Sequence, residues 1–289
     1  MSHYPLSRST YPKPIADLPI KVAAEIEYVF TDIDDTITDG GKLLPETFTA
    51  IAALQNAGFK VIPVTGRPAG WCDMIARQWP VDAIVGENGA FYMWWDKASK
   101  KLSAYHVLVQ NERIVYAQRL LQIKELLIKE YPKIVFASDQ FSRLYDLAID
   151  VKEDVQPYSA KDIETLLQFL AAYEVTAKLS SIHINLWLGH WDKLSTTKLM
   201  MKNLFHKDLE ICNQTCLFIG DSPNDDPMFS YFKNSFGVAN VLDYRDRIKF
   251  LPKWVTESKG GKGFSELSEV LIRSKSSASN NVNRSLDDC

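Results

Sequence analysis

The chain reads as an α/β protein in which a doubly wound parallel sheet is interrupted by an inserted α+β segment. Three observations lead there. Short apolar runs alternate with helical stretches over residues 25–89, the order that a parallel sheet with crossover helices requires. Near Phe91 the texture changes to strand pairs alternating with two long helices, and after residue 188 the first pattern returns. Four polar clusters fall directly after expected strands or at a helix start, where open α/β sheets bind their ligands.

The elements follow in order. Residues 1–20 carry four prolines and read as an extended arm. Residues 25–31 are the first expected strand, and Gly40-Gly41 a turn. A helix is expected over 45–57, with Pro45 suited to its first turn, Gly58 just past its end, and Phe48, Ile51, Ala52 and Leu54 on one face. A strand over 59–64, a helix over 68–79 and a short strand over 82–85 follow, the last ending at Glu87-Asn88-Gly89-Ala90. Within the insert, strands are expected over 91–95, 104–109, 134–137, 145–151, 175–179 and 181–188. Its helices are expected over 111–131 and 159–173, the second capped by Ser159. A helix over 191–206, a buried strand over 215–219, a short helix to 232 and strands over 235–239 and 254–256 return the chain to the sheet. Gly260-Gly261-Lys262-Gly263 is expected to turn into a last helix over 264–272.

The expected organisation is therefore an arm over 1–20, a discontinuous core of 21–90 and 189–273, an insert over 91–188, and a polar, disordered tail over 274–289. The insert, about 100 residues, is domain-sized.

A net charge of −3 gives no reason to expect nucleic acid or an anionic membrane as partner. No apolar run approaches the roughly 20 residues of a membrane span. Of the four cysteines, Cys72 sits on an amphipathic helix, Cys212 and Cys216 lack a second pair at zinc-site spacing, and Cys289 is the last residue. Few, irregular cysteines and no apolar leader point to a reducing cytoplasm. No motif encodes an oligomeric state.

Val29-Phe30-Thr31 leads into Asp32-Ile33-Asp34-Asp35-Thr36. In an ending strand, period two puts Asp32 and Asp34 on one side. Two carboxylates held close repel by about 4 kcal/mol at an effective dielectric of roughly 20. A protein tolerates that with a cation or a shared proton. Alone, the stretch reads equally as an acidic turn. The other clusters are Thr65-Gly66-Arg67, Lys193, and Gly220-Asp221-Ser222-Pro223-Asn224-Asp225. A doubly wound sheet gathers all of them at one edge. Together they supply a nucleophile, an acid/base, a hydroxyl, a cation and further carboxylates, the kit for metal-assisted phosphoryl transfer.

In this order the clusters resemble the DxDxT, Thr/Ser, Lys and GDxxND motifs of the haloacid dehalogenase-like (HAD) hydrolases, covering about residues 26–265. The insert between the second and third motifs, the Glu87-Asn88-Gly89-Ala90 turn and Gly260-Gly261-Lys262-Gly263-Phe264 are similar to subfamily IIB, with its sucrose-, trehalose- and Cof-type phosphatases. The resemblance implies a Rossmann-like core with an α+β cap, and a Mg²⁺-dependent phosphatase acting on a small phosphorylated metabolite such as a sugar phosphate. It implies Asp32 as the nucleophile that becomes an aspartyl phosphate and Asp34 as the proton shuttle. Thr65, Gly66, Arg67, Lys193 and Asn224 would bind phosphate or substrate. Mg²⁺ would take Asp32, the Asp34 backbone carbonyl and Asp221, with Thr36 and Asp225 standing behind these groups.

Two positions depart from the pattern. Asp35 stands where the family more often has Gly, and Lys193 lacks the following Gly, leaving Lys198 as a competitor. Trp191-Asp192-Lys193 resembles phosphomannomutases, so a phosphomutase is one alternative; a non-catalytic binding protein on the same scaffold is another.

Other residues read two ways. Arg67 fits a phosphate or a surface position, and Asn88 a turn or a substrate contact. His183 and Asn185 share one strand face, turned to solvent or to the cleft. Trp94, Trp95, Trp187 and Trp191 fit a sugar-stacking wall or a domain seam.

Overall fold

The computed structural model describes residues 11–287. Residues 1–10 of the expected arm, and Cys289, lie outside them. In chain order the elements are β1 (Lys13–Pro14), α1 (Ile20–Ala24), β2 (Tyr28–Thr31), α2 (Pro45–Asn56), β3 (Lys60–Pro63), α3 (Ala69–Gln78) and β4 (Ile84–Gly86). Then come β5 (Phe91–Asp96), β6 (Lys101–His106), α4 (Gln110–Glu130), β7 (Leu147–Asp150), α5 (Ala160–Ala171), β8 (Thr176–Leu179) and β9 (His183–Trp187). The chain closes with α6 (Lys193–Leu204), β10 (Cys216–Gly220), α7 (Asp226–Tyr231), β11 (Asn234–Gly237), β12 (Trp254–Val255) and α8 (Gly260–Asp287).

The main sheet has the order β1-β12-β11-β10-β2-β3, and every pairing in it is parallel. Its inner strands β2, β10 and β11 are buried on both faces, as parallel strands under crossover helices must be. Val29, Val61, Leu217 and Ile219 pack toward Ile51, Leu54, Phe264 and Leu267 of α2 and α8. Tyr28, Phe30, Ile62 and Phe218 point the other way, toward Met200, Met201, Met228 and Phe229 of α6 and α7. Each fully buried side chain of this size contributes about 1.5–3 kcal/mol.

Strand order reverses at β2, which has β3 on one side and β10 on the other. Register brings Thr31 opposite Ile219 and Pro63, so the three chains leave the sheet at one level. Ligands bind at such a switch point, outside the carboxyl ends of the strands.

The insert holds an antiparallel sheet, β7-β9-β8, with α4 and α5. Ser159 caps α5 as expected, its Oγ accepting from the Asp162 N–H at 3.2 Å.

Several expected elements differ. The β5–β6 hairpin, expected to open the insert, pairs with β4, which touches the main sheet at Val64–Val85. Its buried Phe91, Tyr92 and Met93 make it a continuation of the core's edge. Residues 134–137 form a single bridge, Phe136 to Ile149, in place of a strand. Gln140 takes over the pairing there, its amide bonding to Asp146 O and Ala148 N, both at 2.9 Å.

Where it is described, the extended arm is tied to the sheet, Lys13–Pro14 pairing with Trp254–Val255, and it leads into the short helix α1. The glycines at 260–263 form the first turn of α8 in place of a loop before it. A Cβ at Gly261 would fall on Thr47 Oγ1, so only glycine lets this turn approach α2. The same helix runs through the boundary at 273 where the disordered tail was expected; Ser274 is buried and the Lys275 ammonium lies 4.1 Å from the Phe59 ring centroid. Among the described residues, no helix is long and apolar enough to cross a membrane.

Gly89 joins the fold to the site. Its φ is +105°, and a Cβ there would fall on the Asp192 carbonyl oxygen, just before α6. Gly89→Ala should cost about 1–3 kcal/mol through overpacking alone, read as a lower midpoint in chemical denaturation. An unchanged midpoint would contradict the close approach.

Candidate active site

Chain direction sets the centre of the site. Beyond β2, the Asp32 N–H donates to Ile219 O at 2.9 Å, so Asp32 still rides on the sheet and is 4% exposed. Ile33 turns into the core, and the backbone then folds tightly: Asp35 has φ +54° and its N–H donates to Thr38 Oγ1 at 3.1 Å. Asp tolerates this left-handed conformation better than most residues, which is how it occupies a position suited to Gly.

Lys193 is the first residue of α6 and is 2% exposed. Asp192 caps that helix, accepting from the Ser195 N–H at 2.6 Å while its own N–H donates to Ser195 Oγ at 2.9 Å. A cation at a helix N-terminus opposes the macrodipole. Two carboxylates offset this: Lys193 Nζ lies 2.6 Å from Asp32 Oδ1 and 2.7 Å from Asp225 Oδ1. Lys198 is placed elsewhere, 3.1 Å from Glu210 and over the Tyr231 ring.

The turn after β10 supplies the remaining acids. Asp225 Oδ2 accepts from the Asp221 and Ser222 N–H groups at 3.1 and 3.3 Å. Both Asp225 oxygens are thus engaged, one by Lys193 and one by backbone, which fits a positioning role. Asp221 is fully buried and accepts from Thr36 Oγ1 at 3.4 Å and Asn240 Nδ2 at 3.1 Å. Asn240 also donates to Asp35 O and accepts from Gly260 N–H, joining the acidic loop to α8.

Asp32, Asp221 and Asp225 bring oxygens within 4.8 Å of one another. Three buried carboxylates thus face one ammonium. Burial pushes the Asp32 carboxyl up to about 8, with Lys193 pulling it back and Asp225 and Asp34 adding to the rise. Burial, then Asp32 and Asp225, likewise push Asp221 well above the carboxylate range. Burial works against the charged Lys193, but Asp225 and Asp32 outweigh it and raise its pKa. Such a cluster is short of positive charge and presents only oxygen donors, the setting for a hard divalent cation. Asp32 and Asp221 are placed to hold one.

Thr65 follows β3 and is fully buried; its Oγ1 accepts from the Arg67 N–H at 3.0 Å. Gly66 lies under two side-chain amides: a Cβ on it would come within 3.0 Å of Asn88 Nδ2 and 3.3 Å of Asn185 Oδ1. Asn224 accepts from Ser222 Oγ at 2.9 Å and donates to Asn88 Oδ1 at 3.5 Å.

Arg67 is not a surface residue, and its guanidinium is engaged by carboxylates. It is 2% exposed and its guanidinium meets three carboxylates, Asp34 at 2.7 Å, Glu153 at 2.6 Å and Asp139 at 3.4 Å, with the Trp71 ring 4.2 Å away. Burial would raise Glu153, but hydrogen bonds from His183 and Arg67 draw it down to about 2. Asp34 therefore points toward the seam between sheet edge and insert, while its charge still adds to the rise at Asp32.

Both sides of the seam contribute further residues, among which no motif marked Arg143. Arg143 donates to Gly66 O at 2.9 Å and to Asp146 at 3.0 Å. Glu87, fully buried and pushed up to about 8 by burial and then by Asp146, accepts from the Ala69, Leu144 and Tyr145 N–H groups. His183 and Asn185 are each 2% exposed, so their strand face looks to the cleft. Asn185 donates to Asp146 at 2.8 Å, and His183 Nε2 lies 3.0 Å from Glu153 Oε2. Trp187 is buried with Nε1 donating to Trp191 O at 3.2 Å, and Trp191 packs on Tyr116 and Tyr145, filling a seam.

Residues 29–266 match the family model described as haloacid dehalogenase-like hydrolase. No curated protein matches the chain by sequence. Solved structures share the fold at low identity. A Thermoplasma acidophilum protein superposes with a TM-score of 0.64 at 16% identity, over 85% of this chain and 98% of that one. A HAD/COF-like hydrolase from Plasmodium vivax gives 0.63 at 19%, over 88% and 99%. The sucrose-phosphatase of Synechocystis, solved with sucrose and phosphate, gives 0.56 at 17%, over 85% and 97%.

A raised Asp32 has a consequence for stability. The folded protein keeps a proton that the unfolded chain releases between the ordinary value of 3.8 and about 8. Folding therefore loses stability as pH climbs through that window. In chelator, Asp32→Asn should gain on the wild type from pH 5 to 8 in denaturant titrations. A constant gap between the two would contradict the crowded carboxylates.

Proposed function

The chain belongs to the haloacid dehalogenase-like hydrolases, and on that premise we propose that it is a Mg²⁺-dependent phosphatase of a small phosphorylated metabolite, a sugar phosphate. The observation that carries the reading is the Lys193 ammonium between Asp32 and Asp225, with Asp221 alongside. Lys193 occupies Asp32 Oδ1, which leaves the other oxygen to attack phosphorus and form an aspartyl phosphate. Thr65 Oγ1 and the backbone beyond it face the transferring oxygens. Asp34, oriented by Arg67, gives a proton to the leaving oxygen and then takes one from the hydrolytic water.

Mg²⁺ fits the all-oxygen set of Asp32, Asp221 and the Asp34 carbonyl, where it would neutralise charge between the nucleophile and an incoming phosphate dianion. Asp225 and Thr36 steady Lys193 and Asp221 respectively.

The sugar-phosphate reading draws on the sucrose-phosphatase likeness in fold and on the space at the seam. A cavity of about 570 Å³ lies between Asp35 and Asn240 on one side and Lys152, Tyr158 and Ser181 on the other. That volume suits a small metabolite. The insert acts as a cap that opens for substrate and closes to exclude bulk water. The free thiols of Cys72, Cys212 and Cys216 fit a reducing cytoplasm.

Phosphate release from a phosphometabolite panel with Mg²⁺ tests this reading. At least one sugar phosphate should be hydrolysed, and chelation should stop turnover until Mg²⁺ is restored. Isomerised hexose 6-phosphate from a hexose 1-phosphate would identify a mutase, and inactivity across the panel a binding protein. Lys193→Met should lower kcat by about 10²-fold or more, while Lys198→Met stays within a few fold. Equal losses in both variants would overturn the assignment of Lys193.

A further inference from the structure

We propose that Asn88 is a substrate-contacting residue whose side-chain amide donates a hydrogen bond to an oxygen of the phosphoryl group. This deepens the phosphatase reading and rests on it. Three independent features of the Glu87-Asn88-Gly89 turn point there.

The first is an unpaired donor. Asn88 is 2% exposed, and its Nδ2 has no hydrogen-bond partner among the described residues. Leaving such a group buried and unsatisfied costs about 1–3 kcal/mol. Its Oδ1, in contrast, is already taken by Asn224.

The second is backbone strain. Glu87 and Asn88 have φ of +42° and +53°, consecutive left-handed conformations at residues other than glycine. Each costs energy that glycine would spare, and such strain gathers at ligand sites. The turn is held in place regardless: the Asn88 N–H donates to Thr65 O at 3.0 Å and Gly89 O accepts from Thr196. The surroundings fix the Asn88 amide beside Gly66, next to Thr65.

The third is the company it keeps. Asn88, Lys193 and Asn224 line one cavity of about 250 Å³. Lys193 spends two of its three N–H groups on Asp32 and Asp225. The Asn224 carbonyl oxygen is engaged by Ser222, and that of Asn88 by Asn224. The three side chains therefore present spare N–H groups to one cavity. A phosphoryl oxyanion, which only accepts, satisfies these donors together.

The test is Asn88→Gly, which suits the left-handed backbone and removes the side chain. With the Mg²⁺-loaded full chain, kcat/KM should fall about 10- to 100-fold. Competitive inhibition by orthovanadate should weaken in step, and the denaturation midpoint should hold or rise. Wild-type turnover and vanadate inhibition in the variant would overturn the proposal, as would a loss of stability accounting for the loss of activity. If the wild type turns over no phosphomonoester, the phosphatase reading fails separately. Stabilisation by inorganic phosphate then decides the inference: a thermal shift in the wild type, smaller in Asn88→Gly, supports it, and equal or absent shifts overturn it.

Discussion

The buried ammonium of Lys193 is the constraint on which the site depends. Without it, Asp32, Asp225 and Asp221 would confront one another in a place that water barely reaches. Removing one partner of a buried ion pair typically costs about 3–5 kcal/mol, since the other charges are left uncompensated. Long-range features serve to put that nitrogen where it is. Asp192 starts α6 at the required residue, Gly89 lets the β4 turn lie against its backbone, and the parallel register of β10, β2 and β3 delivers the acids at one level. Even so, one ammonium does not balance three carboxylates. The remaining deficit, visible in the upward push on Asp32 and Asp221, is what gives the loop its appetite for a proton or a hard cation.

A second layer of charge ties the insert to the sheet edge. Arg67 binds Asp34 on its own side of the seam and Asp139 and Glu153 across it. Arg143 reaches back to the carbonyl of Gly66, and Glu87 collects backbone N–H groups from both sides. Buried pairs of this kind are a weak source of net stability but fix geometry, because every alternative arrangement leaves a charge unpaired. The proposed proton shuttle is thereby linked to closure: the group that orients Asp34 is the group that holds the cap.

Much of the centre was legible in the sequence for one reason. Strand ends in a parallel sheet are marked locally, by an apolar run that stops at a polar cluster. Asp32, Thr65 and Asp221 each sit at such a stop, and the structure brings them to one edge. Lys193 was readable from the helix start at Trp191-Asp192-Lys193. Arg67 was readable as a residue of interest but not as to its role, since its partners Asp139 and Glu153 lie more than seventy residues away along the chain. Asn240 lies in a short turn with no periodicity and acts through Asp221 and Gly260, contacts that only tertiary structure makes. Which sheet the hairpin after β4 joins is not legible, because strand periodicity states which residues form a strand and not which strand they pair with. Polar composition marks the tail as disordered, but it does not register a helix that continues from a packed predecessor.

The central claim is that Asp32 is the group that takes the phosphoryl, with Lys193 balancing its charge. Acid quenching during turnover, borohydride reduction and peptide mass spectrometry address it directly, because an aspartyl phosphate is reduced to homoserine. The account predicts homoserine at position 32. Homoserine at any other aspartate, with Asp32 intact, would contradict it.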